Sequence, residues 1–335
     1  MTSDSVTERP ASAEPQARAR EVVVNGKRVR VVDMHAHCSV PEATALMGVQ
    51  AGMPALLLAN SQTRLEAMDQ QGIDVEALSI NPYWYKADRD VAREVVRLQN
   101  EKLAEFCATE PQRFVGLASV ALQHPDLAAQ QLEDGVRRYD LRGALIGGSV
   151  EGDELADPRF HPFWAKAEEL GVVIFIHPQG TAELESRLKG NGMLENVIGN
   201  PLETTIALSH LIFEGTLDRF PGLKILAAHG GGYLPSYAAR SDAGRRTFPS
   251  RTTAVQKNPT EYLKQLYFDS LVFTTEGLRH LVAETGAGQV VLGTDYPFPW
   301  TSTAVDHILA TTDLTDAERV AILGGTAAKL LRLAE

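Results

Sequence analysis

The chain has 335 residues, of which 44% are hydrophobic, and its formal net charge is -11. This length suits one large domain, since barrels of alternating strands and helices use roughly 250 residues or more. The negative net charge and the lack of a basic run argue against nucleic-acid binding. No apolar run is long enough to span a membrane. The two cysteines form no disulfide framework, which is typical of a cytoplasmic protein.

The amino-terminal part of the sequence predicts a tail, a hairpin and an insertion. Residues 1–20 are rich in Ala, Ser, Pro, Glu and Arg, so we expect a mobile tail there and a single domain over 21–335. An Asn25-Gly26 pair between two valine-rich runs predicts a small hairpin. A long apolar stretch over 38–62 follows the first core strand, and connections of this length often form part of an active-site wall.

Apolar runs bounded by turn signals alternate with helical patterns along the rest of the chain. The predicted core strands are 30–35, 76–80, 114–120, 143–147, 172–177, 224–232, 265–270 and 289–295. The predicted helices are 63–72, 88–109, 125–139, 159–170, 201–219, 275–285 and 315–333, with a loop over 179–200. Such alternation implies parallel strands with helices outside. We therefore predict an α/β fold, a closed (β/α)8 TIM barrel with an N-terminal hairpin, whose site lies at the carboxyl ends of the strands.

Polar residues occupy those strand ends. His35 and His37 are two positions apart, so both imidazoles point to the same side of the first strand, where they can bind a divalent metal. His177, His229 and Asp295 end the fifth, sixth and eighth strands. An isolated His-x-His pair could equally be an ordinary surface feature. Five such residues at strand ends that a barrel brings together favour a functional site.

Four motifs resemble a known family. HAH over 35–37, HP over 177–178, AHGGG over 228–232 and GTDYPFP over 293–299 resemble the amidohydrolase superfamily. The likeness is greatest to its aminocarboxymuconate-semialdehyde decarboxylase branch, which also contains aromatic-acid decarboxylases such as γ-resorcylate decarboxylase. It runs from about residue 30 to the end and includes FDSLVF over 268–273.

The resemblance implies a single divalent ion held by His35, His37, His177 and Asp295. Zinc is the preferred ion and manganese the alternative. Binuclear members of the superfamily use a bridging carboxylated lysine, and the fourth strand here offers no lysine. His229 matches a proton donor and acceptor, and Asp295 doubles as a catalytic residue. The glycines over 230–232 are expected to let the chain turn beside the site.

Three functions are compatible with these motifs. The resemblance favours nonoxidative decarboxylation of an aromatic or unsaturated, muconate-type carboxylic acid. The alternative is hydrolysis or hydration by a metal-activated water. A catalytically inactive binding protein is disfavoured because no expected ligand is lost. Residues 38–62 lack the arginine with which the aminocarboxymuconate enzyme holds a substrate carboxylate, which argues against that particular substrate.

Arg240 is the candidate substrate-binding residue. In the resembled branch, an arginine at this place reaches the neighbouring subunit's site and pairs with a substrate carboxylate, which implies a homodimer. A guanidinium binds a carboxylate in a bidentate manner that lysine cannot reproduce. The alternative is an ordinary solvated helix arginine. The expected partners are thus a small carboxylic acid and a second copy of the chain, with no nucleic acid and no membrane.

Overall fold

The structure, a computed structural model, describes residues 19–50 and 52–334. Residues 1–18, nearly all of the predicted tail, lie outside this part. At its start, the guanidinium of Arg20 donates to the carboxylate of Asp306 over 2.9 Å. None of the described helices combines the length and the apolar character that crossing a membrane requires.

The secondary-structure elements are numbered in chain order. The strands are Val23–Val24 (β1), Lys27–Arg28 (β2), Val32–His37 (β3), Val75–Ser79 (β4), Phe114–Gly116 (β5), Gly143–Ile146 (β6), Ser149–Val150 (β7), Asp153–Glu154 (β8), Val173–Ile176 (β9), Lys224–Ala227 (β10), Leu266–Asp269 (β11) and Val290–Val291 (β12). The α-helices are Pro41–Leu46 (α1), Ser61–Gln71 (α2), Arg89–Thr109 (α3), Pro125–Arg138 (α4), His161–Leu170 (α5), Glu185–Leu188 (α6), Asn200–Phe213 (α7), Thr216–Arg219 (α8), Leu234–Thr247 (α9), Pro259–Tyr262 (α10), Thr275–Thr285 (α11), Ala304–Ala310 (α12), Asp316–Val320 (α13) and Thr326–Leu330 (α14).

Eight parallel strands close into a barrel. One sheet has the order β12-β11-β10-β9-β6 and the other the order β3-β4-β5. Single bridges join the two sheets at both edges, between Ala118 and Ala144 and between Ala36 and Tyr296. The predicted (β/α)8 barrel is therefore confirmed, as is the hairpin, in which β1 and β2 pair antiparallel.

Strand residues alternate between two buried layers. Val173 and Phe175 of β9 belong to a cluster inside the barrel, whereas Ile174 and Ile176 belong to the layer between the strands and the helices. Both faces of each strand are covered, so the strands consist of nearly continuous apolar sequence. A bulge in β3 between Asp33 and Ala36 interrupts its register against β4, and bulges of this kind change the direction of neighbouring side chains.

Local sequence sets several helix boundaries. The Asp88 side chain accepts hydrogen bonds from the backbone N–H groups of Asp90 and Val91, which caps α3. Helix α5 ends at Gly171, which has a left-handed φ of 58°, a conformation that glycine adopts at no steric cost.

Some predicted boundaries are wrong. The predicted strands 114–120 and 289–295 are much shorter in the structure, where they correspond to β5 and β12, because the sequence pattern does not reveal where interstrand hydrogen bonding stops. The predicted loop over 179–200 contains α6 and a π-helical turn, Glu195–Gly199. The predicted helix 315–333 is divided by a second π-helical turn, Ala321–Gly325. There Gly324 lies so close to the barrel that a Cβ would be 2.1 Å from the carbonyl oxygen of Arg30.

Candidate metal centre

Four strand-end residues converge at the carboxyl end of the barrel. The side chains of His35, His37, His177 and Asp295 are buried, and their potential ligand atoms all lie within 4.8 Å of one another. Nε2 of His35 is 3.0 Å from Nε2 of His37, and Oδ1 of Asp295 is 3.2 and 3.0 Å from these two nitrogens. The barrel thus brings together residues that are up to 260 positions apart in the sequence.

The hydrogen bonds of the cluster fit a bound cation. Nδ1 of His35 lies 2.6 Å from Oδ2 of Asp269, and since an ionised carboxylate only accepts, Nδ1 carries a proton and Nε2 is the nitrogen available to an ion in the cluster. Both nitrogens of His177 and Oδ1 of Asp295 are buried without a hydrogen bond to any described residue. Buried polar atoms rarely lack a hydrogen-bond partner in folded proteins. Three imidazoles and one carboxylate form a donor set that suits a divalent transition metal.

Electrostatics favour the neutral, metal-binding form of His37 and His177, whereas without an ion they favour a second proton on His35, which a bound ion would displace. Burial lowers the pKa of His37, and it lowers the pKa of His177 well below its usual value. Burial also opposes the charge on His35, but the carboxylates of Asp295 and Asp269 outweigh it and raise the pKa to about 10. Burial alone would raise the pKa of Asp295, yet the neighbouring histidines hold it far below its usual range. Asp295 is therefore an anion that attracts cations.

Buried hydrogen bonds hold the backbone that carries His35, His37 and Asp295. Oδ1 of Asp33 accepts from the backbone N–H groups of His35 over 2.9 Å and Thr294 over 3.1 Å. The guanidinium of Arg64 donates to the carbonyl oxygen of His37 over 2.6 Å and to Oε2 of Glu76 over 2.9 Å. Second-sphere contacts of this kind orient metal ligands.

Sequence reasoning missed Asp33 and Asp269 as supporting residues. A signal existed, since each is an acidic residue within a predicted buried strand, where carboxylates are rare unless paired. Asp269 accepts from the side chain of His35 and from the backbone N–H groups of His229, Gly230 and Leu271. It therefore connects a metal-site histidine to the turn that carries the proposed proton donor.

His229 lies beside the cluster and outside it. Its side chain is 17% exposed, and its Nε2 is 3.8 Å from Oδ2 of Asp295. His229 and Asp295 have positive φ angles of 55° and 61°, and such strained backbone is common where function fixes a side chain.

The glycine turn after His229 matches the expectation. Gly230, Gly231 and Gly232 all have positive φ angles. At Gly232 a Cβ would be 2.0 Å from the carbonyl oxygen of Pro201. Only glycine allows the turn to pass this close to α7.

A cavity of about 570 Å³ opens beside His229 and Asp295. Trp300, Phe273 and Asn200 are among its lining residues. The cavity is large enough for a small aromatic ligand, since pockets for such molecules start at about 300 Å³.

The aromatic residues that follow β4 pack in the protein core. The indole N–H of Trp84, which is fully buried, donates to the carbonyl oxygen of Val120 over 3.0 Å. The hydroxyl of Tyr85 accepts from the backbone N–H of Gly147 over 3.0 Å. Cys38 is likewise a buried thiol, and burial raises its pKa to about 12.

The structure does not bring Arg240 to this cluster within one chain. Arg240 is an exposed residue of α9, and it forms no hydrogen bond or ion pair with the rest of the described chain. It is also absent from the lining of the cavity.

Comparisons place this architecture among known proteins. Residues 32–333 match the amidohydrolase family model. The 2-amino-3-carboxymuconate-6-semialdehyde decarboxylase of Dictyostelium discoideum is 32% identical over 276 residues, which cover 81% of this chain and 76% of the relative. The gamma-resorcylate decarboxylase of Rhizobium radiobacter is 33% identical over 290 residues, which cover 83% and 88%. The structure of a dihydroxybenzoic acid decarboxylase from a Polaromonas species, with bound manganese and the inhibitor 2-nitroresorcinol, superposes with a TM-score of 0.80 at 28% identity and covers 91% of this chain and 97% of that one.

Proposed function

The chain belongs to the amidohydrolase family, and from this premise we propose that it is a metal-dependent, nonoxidative decarboxylase of an aromatic or unsaturated carboxylic acid. The observation that carries the proposal is the buried cluster of three histidines and Asp295 with His229 beside it, in a chain whose named relatives are decarboxylases. The enzyme is a carboxy-lyase in this assignment, and a small-molecule carboxylic acid is its substrate.

We assign His35, His37, His177 and Asp295 as the ligands of one divalent ion. A nitrogen-rich set with one carboxylate suits zinc. Manganese is the alternative, and the Polaromonas relative binds it. When bound, the ion supplies positive charge that holds substrate oxygens and offsets developing negative charge.

His229 is assigned as the proton donor. In the reaction, the bond between the ring or alkene carbon and the carboxyl carbon breaks, its electron pair stays on the former carbon, and carbon dioxide leaves. A proton from Nε2 of His229 then completes the new C–H bond, and His229 regains a proton from solvent. The carboxylate of Asp295, with Oδ2 3.8 Å from that nitrogen, can orient the imidazole for this transfer.

Hydrolysis or hydration is the alternative chemistry, because the same cluster could activate a water molecule. The named relatives favour decarboxylation. We further propose that residues 21–335 form one domain and that the protein is a cytoplasmic homodimer. The exposed side chain of Arg240 is available to a neighbouring subunit, where it could pair with the substrate carboxylate.

A substrate screen with two readouts tests the function. The metal-loaded protein is incubated with a panel of hydroxylated aromatic acids and muconate-type acids, and carbon dioxide release and product mass are both recorded. We expect at least one acid to yield carbon dioxide and a product that is lighter by that molecule. A product that has gained water, with no carbon dioxide released, would instead establish the hydrolase or hydratase alternative.

A further inference from the structure

The cavity beside the metal centre carries little positive charge of its own. Among the described residues that line it there is no lysine or arginine. Its titratable side chains are His229, Tyr233 and Asp295. A bound divalent ion, together with the proton-donating form of His229 beside it, would therefore supply the positive charge that this chain offers to a ligand in the cavity.

Two unpaired amides line the cavity. Asn196 lies in the π-helical turn Glu195–Gly199, and Asn200 begins α7, which continues that turn. Their spacing of four positions places them near one another on one helical face. Both are half-buried, and neither side chain forms a hydrogen bond with another described residue. Each amide can donate two hydrogen bonds and accept two, so this pair could bind a polar group of a ligand.

Much of the remaining lining is apolar. It includes Leu271, Val272, Phe273 and Trp300. The rings of Phe273 and Trp300 have centroids 6.5 Å apart in a tilted arrangement. Flat aromatic surfaces of this kind favour a planar ligand by stacking or edge contacts. A cavity with a few polar groups in an apolar lining is typical of a specific small-molecule site.

We propose that Asn196 and Asn200 bind a neutral hydroxyl or carbonyl substituent of an aromatic monocarboxylic acid, and that the cavity discriminates against a second carboxylate. This proposal rests on the decarboxylase function proposed above, and it narrows the substrate class to acids with one carboxylate. The dicarboxylic muconate-type acids are then poor substrates.

The discrimination follows from solvation. The negative charge of a substrate carboxylate next to the metal is balanced by the positive charge of the ion. A second carboxylate beside the two amides would lose water without gaining a cation, which is costly. A hydroxyl group exchanges its water for the amides at little cost, and a site built for such a group selects against ligands that lack it. In the proposed dimer, we assign Arg240 of the partner subunit to the departing carboxylate.

Binding of inert analogues tests the proposal without turnover. A nitro group has the shape of a carboxylate and cannot leave as carbon dioxide. The probes are 2-nitrophenol and two sets of its derivatives. One set consists of the positional isomers with one added hydroxyl group, and the other of the positional isomers with one added carboxylate. Their dissociation constants are measured by calorimetry on the metal-loaded protein. At least one hydroxylated isomer should bind about tenfold more tightly than 2-nitrophenol. The carboxylated isomers should bind more weakly than 2-nitrophenol, by a factor of about ten or more.

Variants assign the effect to the two amides. In Asn196→Leu or Asn200→Leu, the ratio of the affinity for the hydroxylated probe to that for 2-nitrophenol should fall to about one, because the gain from the added hydroxyl is lost. Asn191→Leu is the matched control, since Asn191 is an exposed residue of the same segment that does not line the cavity. As a converse test, Asn196→Lys should improve the binding of a carboxylated isomer by about tenfold, because it supplies the absent cation.

Two outcomes overturn the proposal. One is a hydroxyl gain that persists in both leucine variants, and the other is a carboxylated isomer that binds the wild-type protein as tightly as the hydroxylated one. If a leucine variant does not fold, the comparison of probes on the wild-type protein decides alone. Probe binding as expected, together with a failure of every acid in the substrate screen, would overturn the decarboxylase function and leave the assignment of the cavity intact.

Discussion

Two groups of residues around the site differ in how completely their polar atoms are paired within the chain. We call them the floor, formed by Asp33, Arg64, Glu76 and Asp269, and the open wall, formed by Asn196, Asn200 and Arg240. On the floor, Asp269 accepts hydrogen bonds from one side chain and three backbone N–H groups. Arg64 is only 1% exposed and is paired with Glu76. On the wall, the amides of Asn196 and Asn200 form no hydrogen bond to another described residue.

This difference separates preorganised groups from recognition groups. The hydrogen bonds that hold the His35 ring and the carbonyl group of His37 form without a ligand, so these two proposed metal ligands are held in position before an ion arrives. The wall offers polar groups that are half-buried or exposed, and these are available to a substrate or to a second subunit. Changes to the floor should therefore affect metal binding and chemistry, whereas changes to the wall should affect substrate affinity.

The largest effect is expected from removal of a metal ligand. Asp295→Ala and His35→Ala should each lose the tightly bound ion and all measurable activity, because the cluster then lacks one of four ligands. Metal per chain, measured by mass spectrometry of the purified variants, checks this. The wild-type protein should hold about one equivalent, and the metal-free forms serve as controls for folding. Two equivalents of metal in the wild type, or full activity without metal, would contradict the single-ion assignment.

A smaller effect on chemistry alone is expected from His229→Asn. Turnover should fall by about 10²–10⁴-fold, the usual contribution of a positioned acid or base, while most of the metal is retained. His210→Asn is the matched control, since His210 lies outside the cluster on α7 with 40% of its side chain exposed. Turnover close to that of the wild type would refute the role of His229 as proton donor.

An intermediate effect on metal affinity is expected from Asp269→Asn. The neutral amide weakens the hydrogen bond that orients His35, so affinity for the ion should drop by about 10- to 100-fold. Competition with a chelator measures this affinity, and the melting temperature of the metal-free protein separates it from general loss of stability. Asp242→Asn is the control, because Asp242 accepts from Thr260 on another part of the fold. Unchanged affinity would show that the Asp269 carboxylate does not tune the site.

The smallest effect is expected from Arg240→Ala, which should raise the KM by about tenfold through loss of one charge-assisted contact and leave metal content and folding unchanged. Arg246→Ala on the same helix is the control. Mixing Arg240→Ala with His229→Asn should restore part of the activity, since a hybrid dimer contains one site with both residues intact. A monomeric protein, or no recovery despite subunit exchange, would exclude the shared site.

The sequence predicted the barrel and the convergence of the polar residues at its strand ends for one physical reason. Short apolar runs bounded by turn signals identify buried strands, and alternation of such runs with helical patterns implies a parallel barrel. Because all parallel strands point the same way, any polar residue that ends a strand lies at the same rim. His35, His177 and Asp295 could thus be expected to meet although their contacts are long-range.

The tertiary structure alone decided which partners hold those residues and which groups face the cavity. The bond between His35 and Asp269 joins residues 234 positions apart, and a strand pattern does not reveal which of several buried carboxylates lies against which ring. The segment 179–200 has no clear periodicity, so the placement of Asn196 in the cavity lining follows only from how its helical turn packs. Local sequence determines where each strand forms and which residue follows its carboxyl end, because steric and hydrogen-bond preferences act between near neighbours. Contacts across the rim depend on barrel closure, bulges and loop packing, which are settled by the chain as a whole.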